Sequence, residues 1–172
     1  MMLQRPTGRI NGWISYALAF SDRQFDDLNG GEVFPAKYDR RHTVSVVANY
    51  KITNRFTFSA VWEYLSGARF TPFTAQYLFP NASLTDIELI PVYTRRNEIR
   101  LSPSHRLDIN FVFKNKRKRW LKSEWHLGAY NFYNRATPYR VNVRLNEETG
   151  DLEYVQPGLF GFIPSVAWNF QF

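Results

Sequence analysis

The sequence predicts an all-β fold: an antiparallel transmembrane β-barrel segment of about six long meander strands. Three observations predict it. Apolar and polar residues alternate with a period of two wherever the chain is not loop-like. The alternating segments run about 10 or 11 residues, against about 5–6 for strands of soluble domains and about 9–11 for a tilted bilayer span. Short and long connections also alternate strictly, short periplasmic-type turns on one rim and long loops on the other, the habit of outer-membrane barrels.

The first strand places Ile10, Ile14, Tyr16, Leu18 and Phe20 on one face, with Asn11, Ser15, Ala17 and Ala19 opposite. The second alternates Val44, Val46, Ala48 and Tyr50 with Thr43, Ser45, Asn49 and Lys51, and the tight turn Thr53–Asn54–Arg55 joins it to the third. There Phe56, Phe58, Ala60, Trp62 and Tyr64 alternate with Thr57, Ser59 and Glu63. The fourth sets Leu107, Ile109, Phe111 and Phe113 against Arg106, Asp108, Asn110 and Lys114, and the compact stretch Asn115–Leu121 leads to the fifth. That segment, Ser123–Tyr133, is extended, but Trp125 and Leu127 compete with Tyr130 and Phe132, so its facing stays open. The sixth has Phe162, Val166, Trp168, Phe170 and Phe172 on one side, with Ser165, Ala167, Asn169 and Gln171 on the other. Long connections span Ser21–Arg41, Gly67–Ser104 and Asn134–Phe160, the last with a hairpin around Glu147–Asp151.

Alternation alone does not separate a membrane wall from a soluble sandwich. Strand length does, and so do the aromatics near strand ends: Tyr50, Tyr64, Phe113, Phe170 and Phe172 fit the girdles found at headgroup level. Glu63, Arg106, Asp108 and Lys114 lie within strands on the less apolar face, as a wet lumen permits; a dry core would demand a partner for each.

Composition narrows the classes further. A chain of 172 residues, 44% hydrophobic and without cysteine, is neither disordered nor a disulfide scaffold, and it has no thiolate metal site. Apolar stretches such as Trp13–Phe20 fall short of the roughly 18 residues of a spanning helix. The start lacks the apolar core of a secretory signal, so an address outside the cytoplasm implies a piece of something longer. Of the net charge of +7, six positives fall in nine residues: Lys114, Lys116, Arg117, Lys118, Arg119 and Lys122. The basicity therefore reads as one local run, either a solvated turn or a phosphate-binding patch.

No catalytic or metal-binding constellation is present in the pattern. His42, His105 and His126 lack ligand spacing; Asp26–Asp27 and Glu147–Glu148 come without a nucleophile or base. Gly30–Gly31 lacks the strand–helix setting of a phosphate loop, and Asn81–Ala82–Ser83 is a bare sequon. Arg40–Arg41 and Arg95–Arg96 are either solvated loop arginines or contacts for lipopolysaccharide phosphates. The expectation is a protein that is no enzyme and needs no cofactor.

An ordered series of short pieces covers nearly the whole chain: Thr7–Tyr16 (TGRINGWISY), Tyr38–His42 (YDRRH), Tyr64–Gly67 (YLSG), His105–Asp108 (HRLD), Tyr130–Arg135 (YNFYNR) and a terminal Phe172. In this order it resembles the C-terminal barrel end of TonB-dependent outer-membrane receptors. Val166, Trp168, Phe170 and Phe172 also resemble the signal read by the barrel-assembly machinery. The resemblance implies a Gram-negative outer-membrane location and a share in a barrel of about 22 strands. It implies uptake of a scarce large ligand, such as a metal chelate, cobalamin, glycan or peptide. Candidate ligand loops contain Arg40, Arg41, Tyr77, Arg95 and Arg96. Implied partners are outer-membrane lipid and lipopolysaccharide, the barrel-assembly machinery, the plug and upstream strands of the receptor, and a surface lipoprotein. The TonB system would be reached only through the missing part, and nucleic acid is not expected. Family members carry a plug and a TonB-contacting segment that these residues do not match, and Met1–Met2 falls at a family turn, so the resemblance implies a truncated or split receptor. Two other readings stay open: a small autonomous barrel (an adhesin or passive pore) whose extra strands come from Tyr139–Leu145 and Leu152–Gln156, and a soluble module that binds nucleic acid through Lys114–Lys122.

Overall fold

The computed structural model describes residues 1–80, 87–93, 95–115, 121–138, 141–145 and 152–171; the side chains of 73–80, 87–92, 143, 145 and 152 lie outside that description. The chain divides into two compact units. A sheet unit comprises Met1–Leu18, His42–Ser66 and Pro103–Phe172, and a loop unit comprises Ala19–Arg41 and Gly67–Ser102.

The sheet unit is built on one seven-stranded antiparallel sheet. Its strands are β1 (Met2–Arg5), β2 (Ile10–Leu18), β3 (His42–Lys51), β4 (Phe56–Leu65), β5 (Ser104–Lys114), β6 (Lys122–Tyr130) and β7 (Ile163–Gln171). They lie side by side in chain order, and the sheet is open, with β1 and β7 as its edges. Five of the six expected strands fall within two residues of the expected bounds at each end; the fifth ends at Tyr130, short of Tyr133. The expected sixth strand corresponds to β7, although Phe172 lies outside the described residues.

Two expectations are corrected. The chain start is not a turn: Met2–Arg5 forms β1, in register from Met2 opposite Ser15 to Arg5 opposite Gly12. The turn comes after it, where Pro6 cannot donate to a ladder and Gly8 takes φ +112, a conformation costly for any side chain. The hairpin beyond Asn134 also forms differently from the autonomous-barrel reading. Asn142–Leu145 pairs with Leu152–Val155 as a separate two-stranded sheet and adds nothing to the seven strands. Its turn, residues 146–151, lies outside the described residues, as do residues 116–120 of the basic stretch and the sequon.

Register now settles the faces. Because side chains alternate along a strand, pairing places Leu3, Ile14, Val46, Trp62 and Leu107 on one side, in line across five strands. The same side carries Phe111, Leu127 and Val166 across β5, β6 and β7, and Phe113, Trp125 and Trp168 beside them. The facing of β6, open from the sequence, is thereby decided: Trp125, Leu127 and Ala129 belong to the apolar side, and Glu124, His126 and Tyr130 to the polar one. Cross-strand rings stack along that side: Phe56 on Phe113 at 4.4 Å, Phe58 on Phe111 at 5.1 Å and Trp125 on Trp168 at 5.7 Å. Such pairs contribute about 0.2–1 kcal/mol each.

This apolar side is not a core. Among the described residues of the sheet unit, Ala129 is the one buried hydrophobic residue. Val166 is 67% exposed, Ile10 55%, Phe170 50% and Trp168 48%. Gly12, at φ +154, lets β2 approach β3 closely: a Cβ there would sit 2.0 Å from the Val47 carbonyl oxygen.

Candidate functional site

The loop unit is stitched by polar groups. Short ladders pair Asp22–Arg23 with Phe34–Pro35 and Arg69–Phe70 with Ile99–Arg100, and Phe73–Pro80 forms a hairpin with Ile87–Tyr93. Asp39, 3% exposed, is the hub between the two segments. Its Oδ2 accepts from Arg100 Nη2 at 2.7 Å and Arg69 Nε at 3.4 Å, and its Oδ1 accepts from the Ser21 backbone at 3.3 Å. Arg100 Nη1 also donates to the carbonyls of Asp39 and Gly67 at 2.7 and 2.8 Å. Burial pushes the Asp39 carboxyl up, but the Arg100 hydrogen bond, the Ser21 N–H and Arg69 outweigh it and hold the group below its usual range. Gly67 is required by space: a Cβ would lie 1.7 Å from the Leu101 carbonyl oxygen.

Asn97, at φ +56, is a second tie. It donates Nδ2 to the Pro35 carbonyl at 2.8 Å and its backbone N–H to Thr71 Oγ1 at 3.0 Å. Asn29 Oδ1 accepts the Arg96 N–H at 3.2 Å. Between these ties opens a cavity of about 950 Å³. Arg23, Lys37, Arg69 and Arg96 line it against a single carboxylate, Asp27, and Phe25, Phe34, Tyr38 and Tyr93 supply ring faces. The Arg96 guanidinium lies 5.9 Å from the Phe34 ring centre. Volume and lining suit an anionic ligand with a flat apolar face.

Of the loop residues singled out from the sequence, Arg96 lines the cavity and Arg95 is exposed outside its lining. Arg41 lies over the Phe20 ring at 5.0 Å with its Nε 3.9 Å from Asp39; Arg40 does not line the cavity. Tyr77 belongs to the hairpin strand Phe73–Pro80, and its side chain is not described. Asp39, Arg69, Arg100 and Asn97 were not anticipated.

On the sheet's polar side Arg106 binds Glu63 at 2.8 Å and lies 3.0 Å from Asp108, with Tyr130 Oη accepting at 2.8 Å. These charges are therefore partnered, yet Glu63 keeps 43% and Arg106 31% of its side-chain surface in solvent. Further along, Glu124 holds His126 at 3.0 Å, and Asn49 Nδ2 donates to Asn11 Oδ1 at 3.2 Å. Asn131, 1% exposed and at φ +50, ends β6 by accepting the Arg135 N–H and donating to the Arg135 and Phe160 carbonyls at 2.8 Å. On the apolar side, at the rim of the long connections, His42 shares a hydrogen bond with Tyr16 (2.9 Å) and His105 one with Tyr133 (2.6 Å). Tyr64 lies opposite His105 at that rim, whereas Tyr50, Phe113 and Phe170 lie near the opposite one. Among the described residues, no three histidine, aspartate or glutamate side chains converge as a metal site, and no helix is long and apolar enough to cross a membrane.

Comparisons of the chain with protein-family models, with curated proteins and with solved structures return no match.

Proposed function

We propose that this chain is part of the wall of an outer-membrane β-barrel of the TonB-dependent receptor kind, with its apolar side against acyl chains and its polar side toward a water-filled lumen. One observation supports the reading: a single apolar side runs through seven strands without forming a core, half-buried across the central strands and exposed toward both edges, while the opposite side carries the strand charges Glu63, Arg106, Asp108 and Glu124. A water-soluble protein rarely leaves so large an apolar surface uncovered. Strand length supports the same reading. From Phe56 to Tyr64 is eight residue steps, about 26 Å along the strand and about 20 Å across a bilayer at a tilt of about 40°, which with the flanking rings approaches the roughly 25 Å apolar band of such a wall. Among the described residues no strand pairs with the outer edge of β1 or β7, and lipid does not tolerate an open sheet edge, so in this reading further strands cover both. The exposed row Val166, Trp168 and Phe170 on β7 is the part of the assembly signal that is described.

The same reading makes the loop unit the ligand-contacting part of an importer of a scarce large ligand, and four cations against one carboxylate favour an anionic member of that set. The test is detergent dependence. The chain is expected to acquire β structure and resist protease only in detergent micelles or lipid. A monodisperse, folded chain in detergent-free buffer would refute the proposal.

A further inference from the structure

Register also sorts the charge, and the sorting rests on the barrel-wall reading. The three short turns, 5–9, 51–55 and 114–122, join β1 to β2, β3 to β4 and β5 to β6, so they lie on one rim of the sheet. Among their residues are ten lysines and arginines and no acid; the long connections carry eleven cations against twelve acids. Among the described residues, therefore, the basicity is spread along a rim. Six of its cations are described, Arg5, Arg9, Lys51, Arg55, Lys114 and Lys122, and all six are exposed.

This rim borders the apolar side where its rings gather. Arg9 lies 5.4 Å over Tyr50 and donates to the Lys51 and Ile52 carbonyls, both at 3.2 Å, strapping one turn to the next. Two hollows open there. One of about 400 Å³ lies beside Arg9 and Lys51; one of about 480 Å³ is lined from the polar side by Lys114, Lys122, Asn169 and Gln171 and from the apolar side by Phe170. Glu124 lines the second hollow, but it is already bound to His126. Turns two strands apart are about 10 Å from one another, close to the screening length at physiological salt, so each attracts its own anion.

We infer that this rim binds the phosphodiester headgroups of anionic glycerophospholipids in the leaflet on the short-turn side, fixing the depth of the sheet in the bilayer. A nucleic acid would satisfy the charge but not the adjoining apolar surface. A polybasic segment gains about fivefold in partition per cation near an anionic surface.

The test dilutes the full chain from urea into phosphatidylcholine vesicles, or into vesicles containing a third phosphatidylglycerol, and measures the bound fraction by flotation. The variant Lys51→Gln, Arg55→Gln, Lys114→Gln, Lys122→Gln is run beside it. Wild type is expected to bind the anionic vesicles more than a hundredfold tighter than the variant at low salt, with both equal on neutral vesicles. The wild-type advantage for anionic over neutral vesicles should vanish in 1 M salt, a result that needs no variant to fold. Equal binding of wild type and variant to anionic vesicles, or an advantage indifferent to salt, overturns the rim alone. Failure of both proteins to enter neutral vesicles overturns the barrel-wall reading itself. Salt-sensitive binding of a single-stranded oligonucleotide as tight as that of anionic vesicles overturns the choice of lipid.

Discussion

Ala60 offers a sharp test of which side of the sheet meets hydrocarbon. It sits at the centre of β4, between Ala48 of β3 and Ile109 of β5 on the apolar side. Phe56 and Tyr64 are each four residues away, about 13 Å of strand in either direction, so Ala60 falls near the middle of the apolar band. An arginine at the midplane of a barrel wall costs about 2–4 kcal/mol, falling to about 0–1 near the interfaces. Ser59, one residue back, faces the other way between Asn49 and Asn110. An arginine there stays in water and changes stability by about 0.5 kcal/mol or less. Ala60→Arg should therefore lower stability in phosphatidylcholine vesicles by at least about 1.5 kcal/mol more than Ser59→Arg does, upward of about tenfold in the folding equilibrium. Denaturant titration followed by tryptophan fluorescence reads the difference, provided both variants share the wild-type slope. Ala60→Leu should be neutral or better. Equal effects of the two arginines, or a larger effect at Ser59, would refute the assignment of the apolar side to lipid.

Within the loop unit, Asp39→Asn removes the shared partner of Arg69 and Arg100 and should cost about 2–4 kcal/mol, seen as faster protease cleavage in 19–41 and 67–102. The Asp39 carboxyl is held below its usual value, so its contribution is fully present above the unfolded pKa of about 4 and is lost as pH falls through the lower folded value. Protease protection of the loop unit should accordingly be flat from pH 7 to 5, fall below about pH 4 in the wild type, and lose much of that dependence in Asp39→Asn. Gly67→Ala forces a Cβ onto the Leu101 carbonyl and should destabilise the loop unit by about 1–3 kcal/mol, with the β signal of the sheet unit unchanged.

The strands of the sheet were legible because the pleat imposes a period of two, and each of β2–β5 and β7 is long enough to display it. β1 was not: MLQR is four residues with no alternation, and only its pairing to β2 identifies it. The facing of β6 was hidden because Ser123, Gly128 and Ala129 are small, so the large residues on its two sides balanced until register with β5 and β7 decided. The loop hub was hidden for another reason. Arg69 and Arg100 stand 30 and 61 residues from Asp39, and nothing local marks the pairing. Arg96 was legible only as half of a conspicuous arginine pair. The basic rim was hidden because Arg5, Arg9, Lys51 and Arg55 come beside Lys114 and Lys122 only through strand pairing, which charge counted along the chain does not show.

The most direct measurement asks which tryptophans touch acyl chains. Trp62, Trp125 and Trp168 lie on the apolar side and Trp13 on the polar one. With the other tryptophans replaced by phenylalanine, each is probed in vesicles whose acyl chains carry bromine. Strong quenching at Trp62, Trp125 and Trp168, with Trp13 little affected, is the result a membrane-facing sheet requires; quenching of Trp13 equal to theirs, or of none of the four, would contradict it.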